Sequence, residues 1–78
     1  MEEIHIRNVV HKNGRASIIS VACGFESRVI IVVNGQKFNA KSIMNASVVD
    51  NAENIDFMIM GADEENVKIA IKKFYGLI

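Results

Sequence analysis

The chain has 78 residues, half of them hydrophobic, with nine basic residues against nine acidic ones. So short a chain forms one domain over 1–78 with a small core. Its apolar content excludes disorder, and its even charge speaks against a nucleic-acid binder. The longest aliphatic run, Val29-Ile30-Ile31-Val32-Val33, cannot span a bilayer, and the start Met1-Glu2-Glu3-Ile4 is acidic where a signal peptide is basic. Cys23 is the single cysteine, so no internal disulfide or cysteine-rich metal site can form. These features predict a cytoplasmic protein without membrane insertion, metal or cofactor.

In chain order, Ile4 and Ile6 alternate with His5 and Arg7, the pattern of a half-buried strand, which places His5 at an exposed position. The segment Asn13–Cys23 reads as a helix with Ala16, Ile19, Ala22 and Cys23 on one face, ended by Gly24, although its β-branched content also permits a strand. On that face Cys23 is expected to be buried and inert. Arg28–Val33 is a strand of five β-branched residues closed by Asn34-Gly35, the hairpin pair whose residues both accept positive φ, and Gln36–Asn39 returns from it. A short helix is expected within Ile43–Asp50, opened by Ser42 as its N-cap.

Ile55, Phe57 and Ile59 alternate with Asp56, Met58 and Met60, a fourth strand stopped by Gly61. Met58 and Met60 then fill core gaps or lie on the outer sheet face. The last segment, Glu64–Tyr75, is an amphipathic helix with Asp63 as N-cap and Val67, Ala70, Ile71 and Phe74 on one face. A Glu64–Lys68 pair and Gly76 at the residue past the C-cap complete it. The order β-α-β-β-α-β-α predicts an α+β fold: a four-stranded antiparallel sheet with three helices on one face, an open-faced two-layer sandwich.

The run Asn39-Ala40-Lys41-Ser42-Ile43-Met44 closely resembles the histidine-containing phosphocarrier (HPr) family, in which this segment leads from a hairpin into a short helix with a regulatory serine. Set on that run, the chain aligns with the family without a gap across nearly its whole length. The family's second hallmark, Gly-Leu/Ile-His-Ala-Arg-Pro-Ala, falls on Val9-Val10-His11-Lys12-Asn13-Gly14-Arg15. The resemblance implies that His11 is the phosphoacceptor, solvent-accessible at the N-terminal end of the first helix, where free backbone N–H groups receive phosphate. Lys12, Asn13, Gly14 and Arg15 would stand beside that phosphate. Ser42 would be the regulatory serine, and Ala16, Ile43 and Met44 would form the apolar docking patch.

The departures are chemical. Asn13 replaces the family's arginine, and so a fixed cationic fork; Gly14 replaces the proline that suits a first helical turn; Val9 replaces a glycine, and Asn45 the glycine that follows Ser-Ile-Met. Taken without the resemblance, His11 is a solvated turn residue and Ser42 only a helix cap.

No Ser/His/Asp set, Gly-rich phosphate loop or metal-ligand spacing occurs, so the sequence does not describe an enzyme in its own right. The resemblance implies a phosphocarrier of the phosphoenolpyruvate-dependent sugar phosphotransferase system, taking phosphate from an enzyme I-like donor and passing it to a sugar-specific acceptor. The alternative is an HPr-fold interaction or regulatory module that has lost efficient transfer and works by binding a regulatory protein.

Overall fold

The computed structural model describes residues 3–11, 18–42 and 46–78. Strands β1 (Ile4–Val10), β2 (Arg28–Val33), β3 (Gln36–Asn39) and β4 (Asn54–Met60) form one sheet in the order β1-β4-β2-β3, antiparallel at every pairing. Helices α1 (Ile18–Cys23), α2 (Ala46–Asp50) and α3 (Glu64–Phe74) complete the predicted element order.

The period-two pattern decides which sheet face is covered. Val29, Ile31 and Val33 of β2 and Ile55, Phe57 and Ile59 of β4 point into one core, where they meet Ile18 and Ala22 of α1, Val49 of α2 and Val67 and Ile71 of α3. All three helices therefore lie on one side of the sheet, and among the described residues nothing covers the other side. Each fully buried Ile, Val or Phe contributes about 1.5–3 kcal/mol of burial energy, which makes this single cluster the main support of so small a domain.

The β2–β3 turn follows its sequence signal: Asn34 and Gly35 have φ of 51° and 81°, and Val33 pairs with Gln36. Helix α3 ends as expected, with Gly76 at φ 71°, its N–H bonded to the Lys73 carbonyl, and the Leu77 N–H bonded to that of Lys72.

Strand β1 runs further than the Ile4/Ile6 alternation indicates. Ile6 pairs with Phe57 and Val9 with Ile55, so Arg7 and Asn8 stand opposite Asp56 alone. This bulge puts Asn8 at φ 56°, with its N–H donating to Asp56 Oδ1 at 2.7 Å. The extra residue shifts the side-chain parity and turns both Ile6 and Val9 into the core.

Three local expectations are corrected and a fourth lies outside the described residues. Cys23 is exposed, because α1 buries Ile18, Ile19 and Ala22 and so presents a face rotated away from the cysteine. Asp63 stands at the N-cap position of α3 without a side-chain capping bond; its carboxylate serves the β2 approach instead. Lys68 pairs with Glu65 at 3.0 Å, not with Glu64, whose carboxylate takes the Gly61 N–H at 3.3 Å. The described part of the second helix starts at Ala46, and Ile43, Met44 and Asn45, on which a Ser42 cap depends, lie outside the described residues.

Candidate functional site around His11

His11 is the first residue after β1. Its N–H continues the ladder by donating to the Glu53 carbonyl at 2.8 Å. Its ring then turns inward, between the end of α2 and the end of α3. Nδ1 lies 2.8 Å from the Tyr75 hydroxyl, and Nε2 lies 3.6 Å from Asp50 Oδ1. The residue is 3% exposed.

The tyrosine is held as firmly as the histidine. Its ring packs edge-on to Phe74 at a centroid distance of 4.9 Å, with Phe57 at 5.9 Å and the His11 ring at 5.8 Å. Tyr75 follows Ile71 by one helical turn, so its ring joins the buried stripe of α3. A tyrosine on such a stripe needs a partner for its hydroxyl, and His11 supplies it. Nδ1 and the Tyr75 hydroxyl share one hydrogen bond, in a direction set by the imidazole tautomer, and Nε2 faces Asp50 beyond hydrogen-bonding distance.

The burial corrects the expectation of an accessible His11, while the helix start expected beside it lies outside the described residues. A phosphoacceptor nitrogen must present its lone pair in line with the donor's phosphorus. Here Nδ1 is occupied by Tyr75, and Nε2 faces a carboxylate that repels an incoming phosphoryl group. As arranged, His11 is a buried polar link joining β1, α2 and α3.

Of the other residues singled out in the sequence, Lys12, Asn13, Gly14, Arg15, Ala16, Ile43 and Met44 lie outside the described residues. Ser42 is half-buried, and its N–H donates to the Asn39 carbonyl at 3.1 Å.

The residues before Ser42 have structural work of their own. Asn39 Oδ1 accepts from the Lys41 N–H at 2.9 Å, an Asx turn at the end of β3, and Ala40 is buried. Lys41 Nζ donates to the Phe25 carbonyl at 2.7 Å and the Glu26 carbonyl at 3.5 Å. Asp63 grips the same loop from its amides, taking the Ser27 N–H at 2.8 Å, the Glu26 N–H at 3.0 Å and the Ser27 hydroxyl. The Ser27 hydroxyl, followed by the Glu26 amide, holds the Asp63 carboxyl below the usual aspartate range.

Sequence reasoning missed Tyr75 and Asp50 as partners of His11. The available signal was Tyr75 itself, a polar-tipped ring one turn beyond Ile71.

The element order and the sheet define an open-faced α+β sandwich, and solved structures with that fold match nearly the whole chain. The HPr-C-His protein of Thermoanaerobacter tengcongensis is 25% identical, with a TM-score of 0.70 over 97% of both chains. The phosphocarrier protein HPr of Bacillus anthracis str. Ames is 20% identical, with a TM-score of 0.70 over 94% of both. The histidine-containing phosphocarrier protein of Mycoplasma is 23% identical, with a TM-score of 0.65 over 94% of this chain and 90% of its own. No protein-family model and no curated protein matches the chain. It is HPr-like, with the architecture of the phosphocarriers it resembles. Among the described residues, no helix is long and apolar enough to cross a membrane.

Proposed function

We propose that this chain is an HPr-fold interaction module, acting by docking to a regulatory protein without phosphotransfer at His11. The observation that carries this reading is the His11 ring, 3% exposed and bonded through Nδ1 to the Tyr75 hydroxyl. The sequence supports it independently, since Asn13 and Gly14 stand where the family has the arginine and proline that serve phosphate. Docking would run through Ala16, Ile43 and Met44, with Ser42 as a position where a phosphate would add about −1.5 to −2 charge and alter binding.

A second reading is favoured by the neighbours, which are phosphocarriers. In it the chain carries phosphate on His11 between an enzyme I-like donor and a sugar-specific acceptor of the cytoplasmic phosphotransferase system, and the ring must first leave Tyr75.

One experiment separates the two: incubation with phosphoenolpyruvate and enzyme I, followed by intact-mass measurement. The module reading expects no acid-labile phosphate on the native chain, nor on an Asn13→Arg, Gly14→Pro variant. Phosphate on the native chain would establish the carrier. Phosphate only on the variant would mean that the lost cation and turn, and not burial by Tyr75, silence His11.

A further inference from the structure

The sheet face opposite the helices is uncovered among the described residues, and its composition differs from that of an ordinary solvated face. Register places His5, Met58, Ile30 and Asn39 in one row across the sheet and Asp56, Val32 and Lys37 in the next, with Arg28 opposite Met60. The centre is an apolar strip of Ile30, Val32, Met58 and Met60, all half-buried although no element covers them. A shallow concavity lies over this strip, floored by Val32 and Met58 and edged by His5, Arg7 and Asp56.

The charges around the strip are unequal in a specific way. The acids are already engaged: Asp56 Oδ1 accepts the Asn8 N–H at 2.7 Å, and Glu3 pairs with His5 at 3.1 Å. The cations are not. Arg7, Arg28 and Lys37 make no ion pair or side-chain hydrogen bond among the described residues. An apolar strip bordered by three cations that are unpaired among the described residues is complementary to a segment with an apolar side and flanking carboxylates.

We infer that the open sheet face docks an acidic amphipathic segment of a partner protein, its apolar side on Val32 and Met58 and its carboxylates on Arg7, Arg28 and Lys37. The two methionines on the strip suit such a partner, because their flexible thioethers adapt to varied apolar side chains. Nucleic acid is disfavoured, since nine acidic residues balance the nine basic ones and leave the chain without a basic excess. This surface lies across the sheet from His11 and does not rest on either reading of that residue.

The test uses the intact chain and a synthetic helical peptide with leucines on one side and glutamates flanking them, mapped by amide chemical shifts. Binding should move the amides of Arg7, Ile30, Lys37 and Met58 and leave α3 still. It should weaken several-fold as salt rises from about 0.05 to about 0.5 M, because these charges are exposed. An Arg28→Glu, Lys37→Glu variant should lose about tenfold in affinity, as attraction becomes repulsion at two exposed sites. The salt titration on the native chain remains decisive even if that variant folds poorly. The inference is overturned by equal binding of a scrambled peptide of the same composition, by shifts confined to the helices, or by indifference to salt. Preferred binding to phosphatidylserine vesicles or to a thymidylate oligonucleotide would overturn it as well, and so would self-association through this face.

Discussion

Tyr75→Phe isolates the contact on which the reading of His11 depends. The phenyl ring keeps its place between Phe57 and Phe74, so the packing is conserved and only the hydroxyl is lost. What remains is Nδ1 of a 3% exposed histidine without its 2.8 Å partner, and Asp50 faces the other nitrogen and cannot replace it. Leaving a buried polar group unsatisfied costs about 1–3 kcal/mol. For a domain of this size each kcal/mol moves Tm by about 4–8 °C, so a mid-range loss lowers it by roughly 8–16 °C. Thermal and urea unfolding followed by circular dichroism measure this directly. A cycle with His11→Leu should give a coupling of about 1–2 kcal/mol, since Tyr75→Phe strands Nδ1 only while the imidazole is present. A Tm within about 2 °C of the native value, with additive cycle energies, would refute the buried bond and return His11 to solvent.

Two further predictions concern the loop before β2. Gly61 has φ 150°, and a Cβ there would lie 2.6 Å from Ser27 Oγ and 2.7 Å from Ser27 Cα. Gly61→Ala should therefore destabilise the domain by about 3 kcal/mol, combining strain with overpacking against backbone, and lower Tm by roughly 12–24 °C; an unchanged Tm would contradict the close approach. The second is acid sensitivity: the Ser27 and Glu26 hydrogen bonds depress the Asp63 pKa in the folded state, so its stabilisation is complete above the unfolded-state value near pH 4 and is lost as pH falls through the lower folded value. Urea midpoints of the native chain should fall more steeply below about pH 4 than those of Asp63→Asn, and parallel curves would remove Asp63 as a contributor.

The fold was legible because its signals were local and agreed with one another. Period-two apolar runs in β2 and β4, the Asn34-Gly35 turn and the Gly76 helix stop each specify a conformation within a few residues. The β1 bulge was not legible, because Asn8 gives no signal until Asp56, 48 residues away, supplies a carboxylate for its N–H. The destination of the Asp63 side chain was hidden in the same way. A helix start explains an aspartate completely, and nothing nearby in sequence reveals that the amides of Glu26 and Ser27, more than 35 residues earlier, compete for it and win.

His11 shows the same limit where it matters for function. The residue and its neighbours in sequence describe a strand end followed by a helix, and that context assigns the ring to solvent. The ring meets Asp50 and Tyr75, 39 and 64 positions along the chain, each of which has a sufficient local role of its own: one ends α2, the other continues the buried stripe of α3. The resemblance located the histidine correctly at the end of β1 and carried with it the expectation of a free nucleophile. Two physical facts oppose that expectation together. The groups that would serve a phosphate are altered at Asn13 and Gly14, and the ring has a neutral partner in Tyr75 that a phosphoryl group would have to displace. A chain keeping His11 for transfer would gain from an exposed nitrogen beside a cation. One keeping it to tie β1 to α3 needs only a tyrosine within hydrogen-bonding reach, and that is the arrangement found.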